Sequence, residues 1–136
     1  MNPQLMHIGI KVDDIEKVSE FYEKVFGFQQ TGTNRIGDTN THTSRHLTDG
    51  TFDLALMQYD SEDAPEARLA GEGPCIHHLG IRVDDPQAYI PKLLAAGCEI
   101  LSPPGTKTVK FRAPGGIIAE VSRFNQSHNP KSKPES

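Results

Sequence analysis

The stretch His7-Ile8-Gly9-Ile10-Lys11-Val12-Asp13-Asp14 returns as His78-Leu79-Gly80-Ile81-Arg82-Val83-Asp84-Asp85. Six of the eight positions are identical, and the other two exchange Ile for Leu and Lys for Arg. The agreement continues downstream, where a helical stretch ends at Gly27 in one copy and at Gly97 in the other. A repeat of this length marks an internal duplication of one supersecondary unit.

Each copy opens with a strand of period two. Ile8, Ile10 and Val12 share one face and His7, Gly9 and Lys11 the other; Leu79, Ile81 and Val83 oppose His78, Gly80 and Arg82 in the same way. Capping-box spacings, Asp13 with Glu16 and Asp84 with Gln87, predict the helix starts. The first helix carries Val18, Phe21, Tyr22, Val25 and Phe26 as one apolar stripe. Pro91 predicts a kink or a short first segment in the second, and Gly27 and Gly97 read as C-caps. Strands at 41–48 and 52–59 flank Asp49-Gly50, and strands at 108–112 and 117–124 flank Pro114-Gly115-Gly116. The predicted fold is α+β: two tandem βαβββ modules forming a curved, incomplete β-barrel with helices outside. The first module spans 1–59, a linker with room for one helical turn 60–74, the second module 75–124, and a polar, disordered tail 125–136.

Apolar strand faces must meet the helices, because only there can both bury their surface. By parity His7 and His78 turn to the concave side, as do Ile118, Glu120 and Ser122 of the last strand, while Ile117, Ala119 and Val121 face a helix. Two imidazoles and one carboxylate are a ligand set for Fe(II), Mn(II), Zn(II) or Ni(II) that leaves positions open for substrate. His7, His78 and Glu120 are therefore the expected ligands of one divalent ion. Gly9 and Gly80 stand where a side chain would obstruct the groove.

The neighbouring residues are less constrained. His77 is expected to face away from His78 in a structural role. His42 and His46 lie on a strand whose facing the pattern leaves open; His46 is a candidate acid-base group, with solvent exposure the commoner fate of such a residue. His128 falls in the tail. Aligning Asp49-Gly50 with Pro114-Gly115 sets Ala55 opposite Glu120, and Asp53 is either a fourth ligand or a solvated aspartate beside the turn. Lys11, Arg82, Lys110 and Arg112 have concave parity, fitting either an anion-binding rim for substrate or solvated strand ends.

Composition excludes other classes. Fourteen basic against eighteen acidic residues, a formal charge of -4, do not make a nucleic-acid face. No apolar run approaches the roughly 18 residues of a membrane span, and residues 1–6 carry no signal-peptide pattern. Cys75 and Cys98 form no C-x-x-C and suit a reducing, cytoplasmic setting.

The tandem βαβββ pattern, the histidine opening each copy and Pro114-Gly115-Gly116-Ile117-Ile118-Ala119-Glu120-Val121 resemble the vicinal oxygen chelate superfamily over about residues 5–124. That group includes glyoxalase I, methylmalonyl-CoA epimerase, extradiol dioxygenases, fosfomycin-resistance thiol transferases and bleomycin-binding proteins. His77 to Asp85 is especially similar to the corresponding stretch of the epimerases. The resemblance implies one divalent ion (Fe, Zn, Ni, Mn or Co), a small substrate with adjacent oxygens, a homodimer, and lyase or isomerase chemistry through a metal-stabilised enediolate. Glu120 or His46 would be the base. The sequence departs from the family at Ala55, where glyoxalases and epimerases place a fourth ligand, and in 41–48, where the epimerases carry a carboxylate. The remaining His-His-Glu set suits an Fe(II) extradiol-type dioxygenase as the runner-up, followed by a non-catalytic small-molecule binder.

Overall fold

Strand β1 (Gln4–Lys11) lies at the middle of the molecule, parallel to β4 (Asp53–Tyr59) on one side and antiparallel to β5 (Cys75–Val83) on the other. In this computed structural model, which describes residues 1–37 and 39–124, eight strands make one open, curved sheet. The others are β2 (Gln29–Ile36), β3 (His42–Thr48), β6 (Glu99–Ile100), β7 (Val109–Arg112) and β8 (Ile118–Arg123), and the order is β2-β3-β4-β1-β5-β8-β7-β6. Each opening strand pairs in parallel with the last strand of its own copy, β1 with β4 and β5 with β8. The two halves then join through the antiparallel β1–β5 pair, so the duplication becomes an approximate two-fold within one sheet. The expected tail at 125–136, with His128, lies outside the described residues.

Both helical segments start one residue later than the capping-box spacing predicts. The cap of α1 (Ile15–Phe26) is Asp14, whose carboxylate accepts from the Lys17 N–H. Asp85 plays the same part for a 3₁₀ turn at Pro86–Tyr89. Pro86 then occupies the first helical position, where a missing N–H costs nothing. Pro91 likewise sits in the first turn of a short helix, Ile90–Ala95, so it divides the segment rather than kinking it. Gly27 and Gly97 both end their helices with positive φ. In the linker, a single helical turn, α2 (Pro65–Arg68), is the only helix, and the helix of the second module is α3 (Ile90–Ala95).

The helix side of the sheet holds two cores, one per half. Val12, Ile15, Leu47 and Leu56 pack with Val18, Tyr22 and Phe28 in the first, and Val83, Val109, Phe111, Ala119 and Val121 pack with Tyr89 and Leu93 in the second. The predicted stripe of α1 is only half used. Ile15, Val18 and Tyr22, at i, i+3 and i+7, meet the sheet, whereas Phe21, Val25 and Phe26 stay more than half exposed. The five predicted residues span an arc wider than one sheet contact covers. Ile117 is exposed too, because β8 begins at Ile118.

Candidate metal centre

Strand register explains why both copies read His-x-Gly. His7 pairs with Gly80 and Gly9 with His78 across the β1–β5 seam. Each imidazole lies over the other copy's glycine: a Cβ on Gly9 would stand within 2.8 Å of both ring nitrogens of His78, and one on Gly80 would overlap the His7 ring. The glycines therefore do more than keep a groove open. They are the floor on which the histidines cross.

The crossing brings the His7 and His78 Nε2 atoms to 3.1 Å, with the rings edge to face. Gly80 in turn pairs with Glu120 on β8, whose Oε2 lies 3.6 Å from His78 Nε2. One ligand atom from each of His7, His78 and Glu120 falls within 4.8 Å of the others, and all three residues are buried. This geometry fits a metal. Two imidazole nitrogens about 2.1 Å from one ion and at roughly right angles stand about 3 Å apart. Burial pushes the His7 pKa down to about 3, with His78 and Arg82 acting in the same direction and Glu120 against them. His7 is thus neutral, the form that ligates.

Behind His78, His77 departs from its expected orientation. The register shift between Gly9↔His78 and Ile10↔Ile76 leaves His77 as an extra residue in a bulge. Its Nδ1 then lies 2.9 Å from His78 Nδ1, and its Nε2 lies 2.6 Å from the Glu66 carbonyl of α2. A hydrogen bond on the far nitrogen of a ligating histidine fixes the ring and its tautomer. Period-two parity holds no signal for a bulge, so the sequence pattern could not show this contact.

The first module closes the other side of a cavity of about 250 Å³, lined among others by His7, His42, His46, His78, Lys110 and Glu120. Both histidines of β3 are buried on this wall, not exposed. His42 Nδ1 meets the Asn40 carbonyl at 2.7 Å and its ring packs on Tyr59. His46 Nδ1 donates to Asp53, 2.9 Å from Oδ1 and 3.1 Å from Oδ2. Asp53 is 1% exposed, not the solvated turn residue that its neighbourhood suggests, and it stands outside the ligand cluster. Burial raises its pKa above the ordinary aspartate value, the His46 hydrogen bond and the Arg82 charge notwithstanding. Ala55 pairs with Gly9 as Glu120 pairs with Gly80, so the position equivalent to the carboxylate ligand holds a methyl group.

Of the four candidate rim cations, Lys110 alone lines this cavity. Its Nζ lies 3.1 Å from Glu66 and 3.6 Å from Glu120. Burial works against the ammonium, but Glu120 and Glu66 outweigh it and raise its pKa. Lys11, 2% exposed, is spent on the linker: Nζ donates to the Ala67 and Gly71 carbonyls, both at 2.7 Å, and to Glu62 at 3.2 Å. Arg82 is fully buried and donates to the Arg123 carbonyl at 2.6 Å. Arg112 meets the Gly116 carbonyl and, at 3.7 Å, Glu99. Sequence parity alone assigns these three to the concave side without revealing that local acceptors engage Lys11 and Arg112, or that Arg82 is buried with one nitrogen on the Arg123 carbonyl while Nε and the other terminal nitrogen meet no acceptor.

A sequence model described as the Glyoxalase/Bleomycin resistance protein/Dioxygenase superfamily matches residues 4–121. The chain belongs to this superfamily. Among curated proteins it is similar to YwbC of Bacillus subtilis (strain 168), described as uncharacterized, at 32% identity over 95 residues; the match spans 62% of this chain and 64% of that one. Among solved structures, methylmalonyl-CoA epimerase from Mycobacterium tuberculosis superposes with a TM-score of 0.71 at 26% identity, covering 88% of this chain and 86% of that one. The hypothetical protein BH1468 from Bacillus halodurans C-125 gives 0.78 at 23%, covering 93% and 97%. A methylmalonyl-CoA epimerase in complex with methylmalonyl-CoA and NH4+ gives 0.72 at 23%, covering 89% and 94%. The last two likenesses show the shared superfamily fold.

Proposed function

We propose that this member of the superfamily is a divalent-metal-dependent enzyme of lyase or isomerase type. It would move a proton beside a carbonyl in a small substrate with two adjacent oxygens. The observation that carries the proposal is the convergence of His7, His78 and Glu120 on a cavity that His46 also lines, with the buried His46–Asp53 pair beside His7 across the β1–β4 ladder. Similarity to an epimerase at 26% identity supports the same class of chemistry.

His7, His78 and Glu120 would hold an iron, zinc, nickel, manganese or cobalt ion, with His77 and the two glycines fixing the rings. When bound, the ion supplies Lewis acidity toward the substrate oxygens and lowers the cost of negative charge developing on them. Asp53 orients His46 through Nδ1, leaving Nε2 as the basic atom facing the cavity. Glu120 is the alternative base. Lys110 offers an ammonium to a carboxylate or phosphate of the substrate. For assembly and location we propose a cytoplasmic homodimer, with the exposed Phe21, Val25 and Phe26 as apolar surface that assembly would cover. Among the described residues no helix is long and apolar enough to cross a membrane.

The test is deuterium exchange from solvent into the α-position of 2-methylmalonyl-CoA and of the methylglyoxal hemithioacetal, with protein loaded in turn with Zn, Ni, Co and Mn. Exchange that disappears in both His78→Ala and chelated protein supports the proposal; no exchange with any metal rejects it. Ala55, in the position of a fourth ligand, favours a second reading, an Fe(II) extradiol-type dioxygenase with a three-residue ligand face. Anaerobic iron loading followed by catechols and O₂ would give yellow ring-cleavage products, and a colourless catechol panel rejects that alternative.

A further inference from the structure

Ser44 and His46 lie two residues apart on β3 and share its concave face, while Asp53 is on the adjacent strand. Ser44 Oγ is 3.1 Å from His46 Nε2, and His46 Nδ1 is 2.9 Å from Asp53 Oδ1. An aspartate carboxylate only accepts, so Nδ1 carries the hydrogen. In the neutral ring, Nε2 is then a lone pair receiving the Ser44 hydroxyl. Carboxylate, imidazole and hydroxyl thus follow one another in the order that turns a serine into a nucleophile, an arrangement recognised by geometry rather than by fold. Neither the ligand cluster nor the proposed proton transfer requires Ser44.

The surroundings add what acyl transfer needs. Ser44 lines the cavity despite being buried. Asn34 is its register partner on β2 and lines the same cavity. Paired cross-strand residues hold their Cβ atoms about 5 Å apart, so Asn34 is the nearest amide that would donate to an oxyanion formed at Ser44. Ile36 and Met57 give that end of the cavity apolar wall for a short acyl group.

We propose that Ser44, His46 and Asp53 form a nucleophilic triad, a second reactive centre that hydrolyses activated esters of small acids without needing the metal. The Ser44 Oγ forms a bond to the acyl carbon as its proton passes to His46 Nε2. The ester C–O bond breaks and the leaving alkoxide or phenolate takes that proton. Water then attacks the acyl-serine, His46 accepts a proton from it and returns one to Ser44, and the acid leaves. The sum is ester plus water to acid plus alcohol, with no redox change.

The test uses the full chain after exhaustive chelation, with p-nitrophenyl acetate as substrate and diisopropyl fluorophosphate as covalent probe. The expected result is p-nitrophenolate release above the uncatalysed rate, and a phosphoryl adduct mapped to the Ser44 peptide by mass spectrometry. Ser44→Ala removes both, and His46→Ala slows labelling by about 10²–10⁴-fold, with native circular dichroism in each variant. Ser44→Cys guards against a folding artefact: its new thiol should be alkylated by iodoacetamide faster than Cys75 and Cys98, and slower again once His46 is replaced. No adduct at Ser44 in folded wild type, or labelling indifferent to His46, overturns the proposal. Hydrolysis that vanishes on chelation also overturns it, by assigning the ester chemistry to the metal centre. Failure here leaves the metal-dependent proposal standing, and failure of deuterium exchange leaves the triad standing.

Discussion

Gly80→Ala adds one methyl group at the place where the two halves interlock. Ordinary carbon contacts run to about 3.5–4.0 Å. The new Cβ would overlap the His7 ring, which is 1% exposed and must swing into the cavity to make room. Overpacking of this kind costs typically about 1–3 kcal/mol, which for a chain of this size lowers Tm by several degrees. The larger effect falls on the metal. Ligand distances tolerate about ±0.2 Å, and the ring must move by well over that, so affinity should fall at least about 100-fold. Gly9→Ala should do the same to His78, less severely, because its overlap is smaller. Competition with a chromophoric chelator gives the affinity and thermal melts give the stability. A double-mutant cycle isolates the cause: once His7 is Ala, the stability cost of Gly80→Ala should vanish. Wild-type metal affinity in Gly80→Ala, or an undiminished cost in the His7→Ala background, refutes the interlock.

Lys11→Met leaves the Ala67 and Gly71 carbonyls without their shared buried donor, at about 1–3 kcal/mol; hydrogen exchange should show α2 opening before the sheet does. Chelating the metal should lower Tm, since an ion at 100 times its Kd stabilises the folded state by about 2.7 kcal/mol; an unchanged Tm in metal-loaded and stripped protein would count against binding at this centre. Asp53 has a folded pKa above its ordinary 3.8, so its contribution to stability is complete below 3.8 and declines as pH rises through the folded value. Asp53→Asn should remove that decline from a series of denaturant melts, and an unaltered pH slope would rule it out. Sedimentation of wild type and Phe26→Glu checks the dimer: a monomeric wild type, or a Phe26→Glu dimer as tight as wild type, rejects the α1 face.

The fold and the convergence of His7, His78 and Glu120 were legible because both rest on strict periodicity. Alternation along β1, β5 and β8 separates His7, His78 and Glu120 from the apolar residues of the two cores, and the repeated His-x-Gly sets the halves in register. What stayed hidden depends on departures from regular geometry or on partners remote in the chain. His77 reaches His78 through a bulge. Lys11 finds its acceptors in an irregular linker. His46 and Asp53 are buried because β3 and β4 lie inside the sheet, flanked by β2 and β1, a tertiary fact that neither strand's own pattern contains. Ser44 was within reach, since it shares the parity of His46. The caps slipped by one residue in both copies alike, Asp14 and Asp85 being equivalent positions of the repeat.

The crossed imidazoles carry an evolutionary consequence. Each half donates a histidine that only the other half's glycine can seat, so neither module can build the centre alone, and the two lineages have been bound together since they fused. An ancestral pair of identical modules would have offered the same residue from both sides. Here the symmetry is broken: one half has Glu120 where the other has Ala55, and the place beside it is held by Lys110 in one half and by His46 in the other. Fusion left a once-symmetric cleft free to carry different side chains on its two sides.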